Sequence, residues 1–292
     1  MQLRRFGQSE LRVSPLGFGT GMIGGPELSE DQVGSLLNQL LDLGVNLFDT
    51  APSYGAAEER IGRHLSWRRS EVILSTKGGY GTEFPDWTGS AIMAGVEGAL
   101  RRMRTDHLDL FHLHSCPLEV LRRENILEAC RSIVASGKVK VAAYSGEEEA
   151  LAFAVESGVF GGIQCSVNLC DQRSLDTTVA EAHRRGLGVI AKRPLANAVW
   201  LNRPNREDAA AVTYQARFPL LGLAPGQLPW DELFLRFAAY APGVTSCIVG
   251  SSNLGNLRKN VEAVSRGPLP PNVFNVLRES FARVGQDWPG QI

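Results

Sequence analysis

The chain alternates between short apolar runs and longer amphipathic segments from residue 15 to residue 265. Eight runs are apolar and turn polar at their ends, as strands of a buried parallel sheet do. They lie at 15–20, 46–50, 72–77, 108–114, 139–145, 162–168, 188–193 and 245–251. Segments with helical spacing lie at 29–43, 56–66, 88–104, 119–136, 147–157, 172–185, 230–240 and 253–265. Eight strand–helix units in about 250 residues predict a (β/α)8 TIM barrel.

Local signals at the segment ends agree with this prediction. Ser29, with Gln32 three residues later, has the pattern of a capping box at a helix N-terminus. Glycine follows four of the predicted helices, as C-terminal caps with positive φ require: Gly44, Gly137, Gly158 and Gly186. An open, doubly wound sheet is disfavoured because no G-x-G-x-x-G follows a strand and opens a helix.

Three segments fall outside the repeat. Residues 2–13 are expected to form an N-terminal β-hairpin that closes the barrel floor, and 270–286 an additional C-terminal helix. Residues 194–229 are rich in Pro, Gly and Asn and too long for an ordinary βα loop, which indicates a functional segment. Without a linker or low-complexity run, residues 1–292 are expected to be a single domain.

Composition excludes several function classes. With 43% apolar residues and a net charge of −1, the chain is typical of a soluble globular protein, and no basic excess favours nucleic acid. No apolar run reaches the ~18 residues of a membrane span, and the N-terminus is too polar for a signal peptide. Five scattered cysteines without a C-x-x-C pair favour a reducing, cytoplasmic compartment.

Candidate chemistry lies at the ends of the second, third and fourth barrel strands. Asp49 ends the second strand, Tyr54 follows on its loop, Lys77 ends the third and His114 the fourth. Singly, each has an ordinary explanation as a cap, a solvated strand end or a half-buried aromatic residue. Together they converge, because active sites of such barrels gather at the carboxyl ends of the strands. An acid, a phenol, an amine and an imidazole suggest proton donation to a carbonyl, since a nearby ammonium favours the phenolate.

Two residues near His114 in the sequence, His112 and Cys116, could also have a chemical role. His112 faces the same side of its strand, and H-x-H can bind a metal. The adjacent strand supplies Lys77, which repels a metal ion, so His112 is expected to be a hydrogen-bonded core histidine and no metal site is expected. Cys116 has no helix N-terminus or basic run to activate it and is expected to be inert.

These motifs resemble the aldo-keto reductase family over residues 3–265. The matching text includes NLFDTAPSYG, ILSTKGGY, LDLFHLH, GKVKVAAYSG, IQCSVN, PLANAVW and IVGSSNLGNLRKN. The combination of D-T-A-x-x-Y-G with S-T-K and D-L-x-x-x-H is highly specific. The resemblance implies a (β/α)8 barrel that binds a nicotinamide dinucleotide, usually NADPH, without a Gly-rich loop. It also implies a catalytic tetrad of Asp49, Tyr54, Lys77 and His114.

The resemblance further implies which residues hold the cofactor, NADP(H) with NAD(H) as the alternative. Ser145 and Gln164 fall where the family binds the carboxamide of the nicotinamide. The other expected contacts are Gly19, Thr20, Asp49, Lys192, Arg193, Pro194, Ser251, Asn253, Asn256 and Asn260.

Three positions depart from the family's pattern. Gly146 replaces a common Asn, so one carboxamide contact is missing. Lys192 and Arg193 stand where an aromatic residue often stacks, and Arg193 is expected to stack in its place or to grip the pyrophosphate. Asn256 aligns with the basic residue that often recognises the 2′-phosphate, with Arg258 and Lys259 close by.

The resemblance implies reduction of an aldehyde or ketone by hydride transfer, with Tyr54 as general acid. The substrate pocket is expected to be apolar and to suit small or aromatic aldehydes. Its expected lining is Met22, Ile23, Tyr54, Trp87, His114 and part of 194–229, including Trp200.

Three rival hypotheses remain open from the sequence. The first is a Schiff-base lyase that uses Lys77 or Lys192. The second is a dinucleotide-binding regulatory subunit with little turnover, since relatives associated with membrane channels set that precedent. The third is an alcohol or sugar dehydrogenase that runs the same chemistry in the oxidative direction.

Overall fold

The computed structural model describes residues 1–202, 208–224 and 226–292. A hairpin of β1 (Arg4–Arg5) and β2 (Arg12–Val13) precedes eight parallel strands that form a closed barrel, which confirms the predicted fold. The barrel strands are β3 (Leu16–Gly19), β4 (Leu47–Asp49), β5 (Ile73–Gly78), β6 (Leu108–His114), β7 (Val139–Ser145), β8 (Gly162–Ser166), β9 (Gly188–Lys192) and β10 (Ser246–Val249). The strands follow one another in chain order, and β10 closes the ring by pairing with β3 and β9.

Helices connect the strands. They are α1 (Glu30–Asp42), α2 (Ala57–Leu65), α3 (Gly89–Met103), α4 (Leu118–Leu121), α5 (Glu124–Ala135), α6 (Glu148–Glu156), α7 (Arg173–Asp176), α8 (Thr178–Arg184), α9 (Ala209–Arg217), α10 (Trp230–Tyr240), α11 (Leu254–Ser265) and α12 (Pro271–Val284). The last of these is the predicted C-terminal helix. Within the part of the chain that the structure describes, no helix combines the length and apolar character needed to cross a membrane.

Helix α1 shows how the local sequence sets these elements. The Ser29 side chain accepts a hydrogen bond from the Gln32 backbone, and the Gln32 side chain reciprocates, so the predicted capping box is present. One face of the helix is buried against the barrel through Val33, Leu36, Leu37, Leu40 and Leu41. Gly44 then adopts a φ of 84°, which ends the helix and turns the chain toward β4.

The hairpin closes the barrel floor, as predicted. Phe6 is fully buried in a small apolar cluster at this end of the barrel. A Cβ built at Gly162 would lie 2.6 Å from the Phe6 ring, and one at Gly188 would lie 2.4 Å from it. Both strands therefore begin with glycine because the phenylalanine ring occupies the space that a side chain would need.

The structure differs from the sequence prediction in two regions. The predicted helices 119–136 and 172–185 are each divided, the second at Thr177, whose φ and ψ of −121° and −96° are not helical. The long segment 194–229 contains α9 and two 3₁₀ turns, Ala196–Leu201 and Phe218–Leu221. Its residues 203–207 and 225 lie outside the described part of the chain.

Candidate active site

Parallel register brings the predicted catalytic residues to one end of the barrel. Asp49 is the last residue of β4, and Lys77 pairs in register with His112 on β6. His114 ends β6 in register with Ser145 on β7. Because all eight strands run the same way, their carboxyl ends share one rim.

The centre of this rim is a buried ion pair. Lys77 Nζ lies 2.5 Å from Asp49 Oδ2 and donates a second hydrogen bond of 2.8 Å to the Thr50 carbonyl oxygen. Burial alone would raise the pKa of Asp49, but the charge of Lys77 and its hydrogen bond outweigh it, so the pKa is lowered. Burial likewise opposes the charge of Lys77, whose pKa is nevertheless raised by Asp49. Lys77 is therefore a fixed cation.

The other oxygen of Asp49 is held by two neutral donors. Ser75 Oγ donates to Asp49 Oδ1 at 2.8 Å, and Gln164 Nε2 donates to the same oxygen at 3.0 Å. Ser145 Oγ in turn donates to Gln164 Oε1 at 3.0 Å. Ser75 is absent from the sequence prediction, although a serine within an apolar strand must find a partner when it is buried.

Tyr54 lies on the loop after β4 with its ring close to this pair. Lys77 Nζ is 5.2 Å from the centroid of the Tyr54 ring, and Tyr54 contributes to the cavity at the rim. Within the described part of the chain, the Tyr54 hydroxyl forms no hydrogen bond with Lys77 or His114. Lys77 thus contacts the Tyr54 ring through a cation–π interaction, whereas the prediction concerns the Tyr54 hydroxyl.

His114 presents a neutral imidazole to the same cavity. Burial, and then the charge of Lys77, lower its pKa from 6.5 to about 4. Its Nδ1 lies 2.7 Å from the hydroxyl of Tyr80, a residue that the sequence prediction does not include. At neutral pH the ring can therefore donate through one nitrogen only.

His112 is fully buried one layer below His114. Ser75 uses its hydroxyl proton on Asp49, so it accepts from His112 Nε2 at 3.1 Å. Burial and the charge of Lys77 lower the pKa of His112 to about 3 despite the nearby carboxylate of Asp49. His112 is thus a neutral core histidine with a hydrogen bond.

This pKa shift predicts a pH-dependent contribution to stability. Below pH 6.5 the unfolded chain protonates His112 while the folded protein does not. Relative to His112→Gln, the unfolding free energy of wild type therefore falls by up to about 1.4 kcal/mol for each unit by which the pH is lowered. We expect the difference in unfolding free energy between the two proteins to move by about 2 kcal/mol between pH 6.5 and 5, measured by urea denaturation. The exposed His183→Gln substitution is the control, and a constant difference for His112→Gln would contradict the buried neutral state.

A cavity of about 450 Å³ opens at this rim, within the usual size of a cofactor or small-molecule site. Strand ends and loops both line it, including Gly19, Tyr54, Lys77, His114, Ser145, Gln164, Lys192, Arg193, Pro194, Asn197, Gly250 and Ile292. Cys116, just past His114, is buried, and burial raises its pKa to about 12.

The motifs and this geometry agree with a comparison against known families. The sequence profile of the Aldo/keto reductase family matches residues 15–281. The chain belongs to this family. As a member of the aldo/keto reductase family it is an oxidoreductase, which confirms the resemblance drawn from its motifs.

Individual relatives cover nearly the whole aldo/keto reductase chain. It is 28% identical over 300 residues to "Uncharacterized oxidoreductase YqkF" of Bacillus subtilis (strain 168), covering 95% of this chain and 96% of that one. It is 28% identical over 312 residues to "Probable voltage-gated potassium channel subunit beta" of Arabidopsis thaliana, covering 92% and 93%. The solved structure "aldo-keto reductase AKR11C1 from Bacillus halodurans (holo form)" superposes with a TM-score of 0.84 at 26% identity, covering 96% of both chains.

The residues expected to hold a cofactor in this aldo/keto reductase fall into four groups, one of which is Asp49 alone, buried in its ion pair with Lys77. Those that line the cavity are Gly19, Ser145, Gln164, Lys192, Arg193 and Pro194. Thr20 is buried at the end of β3, and its Oγ1 has no hydrogen-bond partner within the described residues. Ser251 is half-buried just before α11. Asn253 and Asn256 are exposed at its start, where Asn253 caps the helix by accepting from the Asn256 backbone, and Asn260 is buried in the same helix.

The two cations at the end of β9, Lys192 and Arg193, each have partners within the protein. Lys192 Nζ lies 3.2 Å from the buried Glu147 carboxylate. Arg193 donates to Ser166 Oγ at 3.2 Å and to the backbone carbonyls of Gln291 and Ile292, each at 2.8 Å. The guanidinium is therefore held by the C-terminal segment beside the cavity.

Gly146, the departure from the family's Asn, has a structural explanation. A Cβ at this position would lie 2.7 Å from the ring and the hydroxyl oxygen of Tyr144. Tyr144 is itself fixed by a 2.9 Å hydrogen bond to the Cys116 carbonyl oxygen. The tyrosine ring fills the space of the missing side chain.

The residues expected to bind substrate are less closely grouped. Met22 is 53% exposed, whereas Ile23 is fully buried in the core and its side chain does not face the cavity. Trp87 is half-buried with its ring centroid 5.9 Å from that of Tyr80. Trp200 packs on Phe234 at 5.0 Å, as an ordinary loop anchor does.

Proposed function

We propose that this oxidoreductase reduces the carbonyl group of aldehydes or ketones with NADP(H), and that Tyr54 is the general acid. The observation that carries the proposal is the buried Lys77–Asp49 pair beneath the Tyr54 ring, beside a neutral His114, at one cavity. A substrate carbonyl in this cavity would meet a proton donor and a hydrogen-bond donor at the same oxygen.

The features of the cavity fit a dinucleotide. Ser145 and Gln164 offer polar groups at the strand ends that line it, and the buried Thr20 Oγ1, next to Gly19 in the sequence, has no hydrogen-bond partner among the described residues. Bare backbone borders the cavity at Gly250, where a Cβ would lie 2.9 Å from the Gly19 carbonyl oxygen. The N-terminus of α11 follows directly and is suited to a phosphate.

In the proposed reaction each protein group has a defined task. The nicotinamide, when bound, supplies the hydride that reaches the carbonyl carbon. Tyr54 gives its proton to the carbonyl oxygen as the C=O bond becomes a C–OH group, and takes one back from solvent. Lys77, held by Asp49, stabilises the phenolate left behind. His114 donates to the oxygen while negative charge develops on it.

Fluorescence titration with NADPH and with NADH is the first test. We expect saturable binding of both and at least about tenfold tighter binding of NADPH, because Arg258 and Lys259 offer cations for a 2′-phosphate near Asn256. Turnover of a panel of small and aromatic aldehydes should follow. Absence of dinucleotide binding would refute the proposal. Equal affinities for NADPH and NADH would contradict the preference for NADP(H) and show that the protein accepts either cofactor.

A regulatory role is the second candidate, because a relative of similar length is described as a potassium channel β subunit. Binding of NADPH without measurable turnover of any carbonyl would favour it over reduction. Oxidation of alcohols or sugars uses the same groups in reverse, so kcat measured in both directions separates those two. The lyase hypothesis for Lys77 conflicts with its raised pKa, since a Schiff base needs a neutral amine.

A further inference from the structure

Tyr80 connects the loop after β4 with the end of β6. Its hydroxyl lies 2.7 Å from His114 Nδ1 and 3.1 Å from Ser53 Oγ. Its ring packs against His114 with a centroid distance of 5.7 Å and against Trp87 with one of 5.9 Å. The phenol is therefore fixed by both polar and apolar contacts.

The direction of these hydrogen bonds follows from the chemistry of the two rings. Burial raises the pKa of Tyr80, so the phenol keeps its proton, and the lowered pKa of His114 keeps the imidazole neutral. A phenol O–H is a stronger donor than a neutral imidazole N–H, and an imidazole nitrogen is a stronger acceptor than a phenol oxygen. The favoured arrangement is Ser53 donating to Tyr80 and Tyr80 donating to His114 Nδ1.

We propose that Tyr80 is a positioning residue that holds His114 as the tautomer protonated on Nε2. A neutral imidazole carries one N–H, and the hydrogen bond at one nitrogen decides where it lies. With Nδ1 occupied as an acceptor, Nε2 carries the proton and His114 becomes a donor. The inference rests on the proposed reduction, in which His114 must donate to the carbonyl oxygen rather than accept from it.

Tyr80→Phe removes this hydroxyl and keeps the ring that packs on His114 and Trp87. We expect the ring of His114 to become a mixture of tautomers, and kcat to fall about tenfold with unchanged cofactor affinity, the size of one neutral hydrogen bond. In the His114→Gln background the same substitution should cause no further loss, because the two residues act as a unit.

Nitrogen-15 NMR of the histidine rings tests the tautomer in the whole protein without substrate. His114→Gln identifies the signals of His114 by their loss. We expect Nε2–H in wild type and in Ser53→Ala, and a mixture in Tyr80→Phe. A proton on Nδ1 in wild type, or a Tyr80→Phe spectrum identical to wild type, would overturn the proposal.

The kinetic measurements on the single and double variants, taken together with the NMR spectra, distinguish failure of this inference from failure of the proposed function. Additive losses in the double variant would also overturn the role of Tyr80, because they place its effect outside His114. If wild type turned over no carbonyl compound, the proposed function would fail while the NMR result still decided the tautomer. Tyr240→Phe, on the hydroxyl that donates to the Val264 carbonyl oxygen, is the matched control and should match wild type in both arms.

Discussion

Tyr54→Phe is expected to lower kcat by about 10²-fold or more, because it removes the only proton that the proposed mechanism transfers from the protein to the carbonyl oxygen. The dissociation constant for NADPH should stay within about twofold of wild type, since the ring and its contact with Lys77 are retained. The unfolding free energy should change by less than about 0.5 kcal/mol, as the described structure gives the hydroxyl no bond to Lys77 or His114.

Steady-state kinetics with a saturating aldehyde gives kcat, a cofactor titration gives the dissociation constant, and urea denaturation gives the unfolding free energy. Tyr240→Phe again serves as the control, because it deletes a phenol hydroxyl that donates to the Val264 carbonyl oxygen and does not line the cavity. If Tyr54→Phe kept full turnover, another acid would have to serve, and Tyr80 is the other phenol close to His114.

The strand ends are predictable from sequence for a physical reason. Parallel strands of a closed barrel are buried on both sides, so their apolar runs stand out and the polar residues that end them share one rim. Asp49, Lys77 and His114 are of this kind: Asp49 pairs with Lys77, and Lys77 and His114 line the same cavity. The glycines that end the helices are equally local signals, since a positive φ is a property of one residue.

The supporting residues of the site follow from tertiary contacts that no local pattern encodes. Tyr80 reaches His114 only because the loop after β5 folds back over the rim. Arg193 lines the cavity as the predicted cofactor contact would, and its guanidinium also binds the backbone of Gln291, 98 residues away, which no local pattern indicates. Ile23 reads as a loop residue open to substrate, but the 3₁₀ turn Thr20–Ile23 directs it into the core.

Lys77→Met is expected to cost a large part of the protein's stability. It leaves the Asp49 carboxylate buried without its cation, and breaking a buried ion pair in this way costs about 3–5 kcal/mol. It should also reduce kcat by about 10²-fold, since no cation then stabilises the phenolate of Tyr54. Urea denaturation and steady-state kinetics measure the two effects. Lys138→Met, in a half-exposed pair with Glu97, is the control and should cost at most about 1 kcal/mol.

The pH dependence of this loss has a definite sign. In wild type the pKa of Asp49 is lowered, so its contribution to stability is present above the unfolded pKa and is lost as pH falls. In Lys77→Met burial without a cation raises that pKa, so the folded variant gains stability relative to its unfolded chain as pH falls. The deficit should therefore be largest near pH 7 and shrink toward pH 4. Asp49→Asn combined with Lys77→Met should recover most of the stability and none of the turnover. If the loss of unfolding free energy in Lys77→Met did not change with pH, the loss would not come from the unpaired Asp49 carboxylate.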